Sequence, residues 1–280
     1  MTRLSERLSL LAVFAHPDDE ALRCGGTLAH YAAQGVEVTL ICTTRGEAGQ
    51  VTDPLLGPVV DVAALREQEL RESCVRLGIH PPVFLGYRDS GRGARLRRDD
   101  PLASINADLL EMEERIMVVI AQVRPQVMVT FDPHGMYGHP DHLVVHRAAT
   151  AAFYSSGRLE RPPERLFYTA QTYEELQRLQ GDGGLGVMNG LRPEVYGMSI
   201  GTVAARIDVT RQADRKRAAL FAHRSQTGPA STLGNLPDAM TADLYREETF
   251  ALGGVRGPVS RFPLQGLFEG LSVGARLQAP

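Results

Sequence analysis

The sequence predicts an α/β fold, a three-layer sandwich on a mostly parallel sheet with a less regular C-terminal third. Two observations carry the prediction. Apolar runs at residues 8–15, 36–43 and 127–131 have the length of buried strands. Helical patterns separate them, and strands joined by helical crossovers pair in parallel. A chain of 280 residues is long for one domain yet compatible with it, and 43% hydrophobic residues can build a sizeable core. The reading is one domain over residues 1–280, with the site in 1–155 and the portion 156–280 placed to cap it.

The elements follow in order. Residues 8–15 form the first strand and 21–34 the first helix, stopped by Gly35. Their junction reads Ala15-His16-Pro17-Asp18-Asp19-Glu20. Pro17 suits a first helical position, and acidic residues suit the positive end of a helix. Capping does not explain a histidine fixed before the acids. Residues 36–43 form the second strand. The loop after it holds Arg45 and Glu47 at the carboxyl end of the sheet, where open α/β sheets bind ligands. Both residues either reach the site or are solvated. Residues 49–60 read as loop and 62–78 as a helix stopped by Gly78. Its charged run is a solvated face with i,i+4 pairing, from which Arg66 in the first turns is singled out.

Residues 81–85 form a third, short strand. Gly86-Tyr87-Arg88-Asp89-Ser90-Gly91 is another carboxyl-end loop, and 93–100, with Arg95, Arg97 and Arg98, is a polar stretch that reads as an exposed flap without a ligand or, second, as a basic loop for an acidic group of a substrate. A helix spans 105–123 and a fourth strand 127–131. Residues 132–142 form the next carboxyl-end loop, which passes into a helix over 139–154. On that helix His139, His142 and His146 share one face, beside Asp132 and Asp141. Further on come a strand at 166–169, a short helix at 173–180, a Gly-rich loop at 181–190, an edge strand at 202–209 and a helix at 211–222. Residues 228–240 read as loop, and the last forty give weak signals.

Composition removes several classes. A net charge of −3 provides no bulk basic field for nucleic acid. No stretch approaches the roughly 18 apolar residues of a membrane span, and the N-terminal run leads into the His16 segment without a signal-peptide cleavage region. Cys24, Cys42 and Cys74 are odd in number and lack metal-site spacing; Cys24 and Cys42, in apolar contexts, are expected to be buried free thiols, and a cytoplasmic location follows. The oligomeric state is open, a homo-oligomer included.

Two clusters then point to a metal. His16 and Asp19 come from the first junction, and His142 from Gly138-His139-Pro140-Asp141-His142. Two imidazoles and a carboxylate leave positions for water and substrate, which is the catalytic pattern. Asp18 is left free as general base. His139 is placed to polarise a carbonyl or protonate a leaving amine, Asp141 to orient a site histidine, and Tyr137 to donate to an oxyanion. The donors suggest Zn2+ and also fit Fe2+. Two other classes compete. A nucleotide-binding protein is disfavoured because the first turn is His-Pro-Asp-Asp-Glu, whose carboxylates repel a pyrophosphate, and Gly25-Gly26 comes too late, inside the helix. A non-catalytic metal-binding protein has no need of a free Asp18.

At these residues the chain resembles the LmbE-like, or PIG-L, family of metal-dependent N-acetylglucosaminyl deacetylases. The two segments, in this order and roughly 120 residues apart, form a specific pair. The resemblance implies a Rossmann-like fold and hydrolysis of the N-acetyl group of a small GlcNAc-containing amino-sugar substrate. It implies His16, Asp19 and His142 as ligands, Asp18 as base and His139 as acid or electrostatic partner. Gly86 to Gly91 is similar to a segment of the mycothiol-pathway branch, where the aspartate, Asp89 here, contacts sugar hydroxyls beside Arg88. Arg66, Tyr137 and Ala222-His223-Arg224-Ser225-Gln226 also match that branch. Position 92 is arginine where that branch continues with methionine. GlcNAc-inositol and GlcNAc-malate both stay open, as do another acylated amine and a thiol conjugate.

Overall fold

The apolar runs assemble into one seven-stranded sheet. The computed structural model describes residues 7–181, 192–229, 231, 233–235, 238–259 and 261–271. Its strands are β1 (Ser9–Phe14), β2 (Glu37–Cys42), β3 (Val83–Phe84), β4 (Val127–Thr130), β5 (Arg165–Thr169), β6 (Ala205–Asp208) and β7 (Glu247–Val255). The spatial order is β3-β2-β1-β4-β5-β7-β6. The first five strands pair in parallel, and β7 runs antiparallel to both neighbours. The fold is therefore α/β with a mostly parallel sheet. β1 and β4 are fully buried along their length, as strands covered on both faces must be.

The helices are α1 (Asp19–Ala33), α2 (Val62–Leu77), α3 (Leu109–Val123), the irregular turn α4 (Gly135–Gly138), α5 (Pro140–Ser155), α6 (Tyr173–Gly181), α7 (Pro193–Tyr196), α8 (Ala213–Ala222) and α9 (Asp238–Leu244). One layer packs α1, α2 and α8 together, and another packs α3 on α5. The chain leaves β1 toward β2 on one side, while β4 lies on the other. That reversal of strand order opens a crevice at the carboxyl ends of β1 and β4, where doubly wound sheets place their ligands. No helix among the described residues is long and apolar enough to cross a membrane.

Several boundaries differ from expectation for local reasons. Helix α1 begins at Asp19, so Pro17 precedes the helix instead of opening it. Helix α3 begins at Leu109, because the Asp108 carboxylate accepts the N–H groups of Leu110 and Glu111. The expected loop at 228–240 runs into α9. The Gly-rich stretch 182–190 lies outside the described residues. Strand β7, where the sequence signals are weak, is inserted between β5 and β6.

β7 also carries a buried charge. Lys216 Nζ lies 2.7 Å from Glu248 Oε1, with the side chains 1% and 2% exposed. The carboxylate also accepts the N–H groups of Gly26 and Thr27, tying β7 to α1. Lys216→Ala would leave a buried carboxylate without its cation. The expected loss in urea denaturation is about 3–5 kcal/mol. A loss below about 1 kcal/mol, the range of an exposed pair, would contradict this account of the pair.

Candidate metal centre

Four loops at the carboxyl ends of the strands meet in a cleft of about 520 Å³, lined by His16, Asp18, Asp19, Arg66, Asp89, Arg92, Tyr137 and His139, with Gln226 from the C-terminal third. His142 and Asp141 lie behind this wall, fully buried.

The histidines are held in defined orientations. His142 Nδ1 lies 3.1 Å from the Gly135 carbonyl, an acceptor, so that nitrogen carries the proton and Nε2 presents a lone pair. His16 Nε2 lies 3.1 Å from Asp141 Oδ2, which assigns the proton to Nε2 and leaves Nδ1 as the acceptor. These two acceptor nitrogens face each other at 3.2 Å. The Asp19 carboxylate joins them, with Oδ1 3.3 Å from His142 Nε2 and Oδ2 3.5 Å from His16 Nδ1. Three electron-pair donors this close repel one another unless a proton or a metal ion is shared between them. The 3.2 Å between the two ring nitrogens is close to one edge of a tetrahedron around an ion with bonds of 2.0–2.1 Å, roughly 3.3 Å, and an Asp19 oxygen stands beside each nitrogen. Two other buried sets also bring their donor atoms within 4.8 Å of one another, His16 with His139 and His142, and His16 with Asp89 and Asp141. The carboxylates of all these sets also accept backbone N–H groups, Asp19 from His16, Asp141 from Ser90 and Asp89 from Ala48 and Gly91.

The electrostatics favour a cation here. Burial opposes a charge on Asp19, yet His142 and His16 hold its carboxyl far below the usual range. Burial likewise opposes a charge on His16, but Asp89, Asp141 and Asp19 raise its pKa. Burial drives His139 down to about 2, with His16 and His142 adding to the effect, so its ring is neutral. Burial pushes Asp18 up to about 6 against the pull of Arg66.

Local backbone explains how these side chains arrive. Asp18 sits at φ 121°, a region that costs a non-glycine residue about 1–3 kcal/mol. Its N–H donates to Glu20 Oε2 at 3.0 Å, and its Oδ2 accepts from Arg66 Nη2 at 3.1 Å. Arg66 also donates to the carbonyls of Pro17 and Gly46. A Cβ at Gly46 would overlap that guanidinium at 2.1 Å, so glycine is required there. A Cβ at Gly135 would lie 2.8 Å from His142 Cβ, and Gly135 lets the α4 turn pass over the histidine.

A family model described as GlcNAc-PI de-N-acetylase, PIG-L, matches residues 11–153. The chain belongs to the PIG-L family. A 1D-myo-inositol 2-acetamido-2-deoxy-alpha-D-glucopyranoside deacetylase of Thermobifida fusca (strain YX) is 34% identical over 271 residues, covering 90% of this chain and 94% of that protein. The protein of the same name from Rhodococcus jostii (strain RHA1) is 37% identical over 278 residues, covering 91% and 93%. Among solved structures, the conserved protein TT1542 from Thermus thermophilus is 26% identical, with a TM-score of 0.57 over 91% of this chain and 99% of that one.

Not every residue singled out in this PIG-L chain reaches the cleft. Arg88 is turned outward and exposed, with Nη1 3.4 Å from Asp100. Its segment is extended and bridges to Ala103, so Arg88 and Asp89 point to opposite sides. Glu47 does not line the cleft, where Ala48, Gly49 and Gln50 stand instead. His139 is not on the helical face of His142 but caps α5, its Nδ1 accepting the Asp141 N–H. His146 turns to the Phe131 carbonyl and packs on Tyr168, outside the site. Residues that sequence reasoning missed are supports. Glu20, fully buried, accepts from Ser73 Oγ at 2.6 Å and from His223 Nε2 at 2.8 Å. Glu69 accepts from Ser225, and Asp53 from Arg224. The Ala222–Gln226 match was the one sequence signal for them.

Proposed function

We propose that this chain is a zinc-dependent hydrolase that removes the N-acetyl group from a small GlcNAc-containing molecule, with GlcNAc-inositol as the first candidate. The carrying observation is the pair of acceptor nitrogens on His16 and His142, 3.2 Å apart and closed by Asp19, in a cleft that also presents Asp18. The names of the relatives support the substrate class. His16, Asp19 and His142 would hold the ion; two nitrogens and an oxygen suit zinc, and ferrous iron is the other ion such a set takes. A bound divalent ion would lower the pKa of its water to about 7 and polarise the acetyl carbonyl.

The chain's own residues supply the rest. Asp18 takes the proton of the attacking water as its oxygen bonds to the acetyl carbon. Asp141 keeps the His16 ring in its orientation. His139 is neutral, and with Nδ1 accepting from Asp141 its Nε2–H is free to donate to the developing oxyanion. Burial pushes the Tyr137 hydroxyl up, so it stays protonated as a second donor. The proton held on Asp18 passes to the sugar nitrogen, the C–N bond breaks, and acetate and a free amine leave. Asp89 is the residue of this wall placed to accept from sugar hydroxyls. Arg66 acts on Asp18 as well as facing the substrate. The C-terminal third contributes the Gln226 side of the cleft. With its three cysteines buried as free thiols, the protein is assigned to a reducing cytoplasm.

The test is amine release by the metal-loaded protein from GlcNAc-inositol, GlcNAc-malate, free GlcNAc and N,N′-diacetylchitobiose. The highest kcat/KM is expected for GlcNAc-inositol. No release from any of them, with one ion bound per chain, would move the assignment to another acylated amine or a thiol conjugate.

Arg92 bears on the aglycone. Its guanidinium lies over the Tyr137 ring, 5.2 Å from the centroid, and has no acidic partner among the described residues. It is free to hold a carboxylate. Arg92→Met is expected to lower kcat/KM for GlcNAc-malate relative to GlcNAc-inositol by roughly tenfold, the worth of one charge-assisted hydrogen bond. An unchanged ratio would remove Arg92 from substrate selection.

A further inference from the structure

We propose that His223, acting through Glu20, is a positioning residue that fixes the backbone of Asp18. The inference rests on the reading of Asp18 as base. Asp18 holds φ 121°, which an aspartate does not keep unaided. Its N–H is fastened by Glu20 Oε2 at 3.0 Å. The other Glu20 oxygen accepts from His223 Nε2 at 2.8 Å and Ser73 Oγ at 2.6 Å. The His223 and Glu20 side chains are 0% and 1% exposed, so water cannot replace a lost partner. A carboxylate buried this deeply stays in place only while its donors remain. His223 is 203 residues from Glu20 in sequence and stands at the end of α8. The C-terminal third is thus connected to the proton-accepting group through one buried contact. Ser225, two residues further, docks the same segment on Glu69 without touching Glu20.

The experiment compares His223→Gln, Ser225→Ala and Asp18→Asn in metal-loaded full-length protein, with kcat, KM, Tm and metal content measured for each. His223→Gln is expected to lower kcat roughly 10- to 100-fold, as misplaced catalytic groups do, with KM and metal content unchanged. Ser225→Ala is expected to lower Tm comparably and leave kcat within about twofold. Equal kcat losses in both variants, or none in His223→Gln, would overturn the proposal. If Asp18→Asn kept full turnover, the reading of Asp18 as base would fail instead. A crystal structure of His223→Gln gives a second readout. Asp18 retained at its strained φ would contradict the proposal even if activity fell. Should His223→Gln not fold, Ser73→Ala removes the other donor on the same oxygen. The same split between kcat and KM is expected, and its absence would overturn the coupling.

Discussion

Asp18→Asn is expected to lower kcat by about 10²- to 10⁴-fold, the usual contribution of a positioned general base. The variant should retain one metal ion per chain and a KM near that of the parent. The reason is geometric. Asp18 and Asp19 are adjacent, yet the turn sends them to different tasks. Asp19 faces the two acceptor nitrogens, and Asp18 faces the cleft with Arg66 on one oxygen. Burial raises the Asp18 carboxyl to about 6, close to the working pH, where a carboxylate can both take and return a proton. Asparagine keeps the shape and the acceptor for Arg66 but cannot carry the proton. Loss of the ion from Asp18→Asn, together with its retention in Asp19→Asn, would exchange the two roles.

His142→Ala is expected to abolish metal binding and turnover together. Its Nε2 is one of the two facing acceptors and the nitrogen nearest Asp19 Oδ1, at 3.3 Å. Changes to residues behind the ligands typically cost 10–100-fold in metal affinity or activity, so removal of a ligand should exceed about 100-fold. The ring also stacks on Phe131 at 4.0 Å, so some stability is lost with it. Metal content by elemental analysis separates the two effects. A folded His142→Ala protein with a full complement of metal would remove His142 from the ligand set.

Much of this was legible in the sequence because the chemistry is local. The segment from Ala15 to Glu20 and that from Gly138 to His142 each lie at a strand–helix junction, and parallel pairing of β1 with β4 brings the junctions together. What was not legible depended on distant partners. β7 reads poorly as a strand because Glu247, Glu248 and Thr249 are polar; Glu248 is buried only because Lys216 and the α1 backbone receive it. The shared face of His139 and His142 failed because Pro140 opens α5, which leaves His139 extended as its cap. Arg88 and Asp89 could not be told apart without the bridge to Ala103 that fixes which one faces inward. Glu20 looked like one more acid at a helix start until His223 and Ser73 closed on it.

The most direct test of the central claim is amine release from GlcNAc-inositol by protein stripped of metal and then titrated with zinc. The account predicts no turnover in the stripped protein and full recovery at one equivalent, with Asp18→Asn binding the same equivalent and staying inactive. Turnover by the stripped protein at the rate of the reloaded one would contradict it.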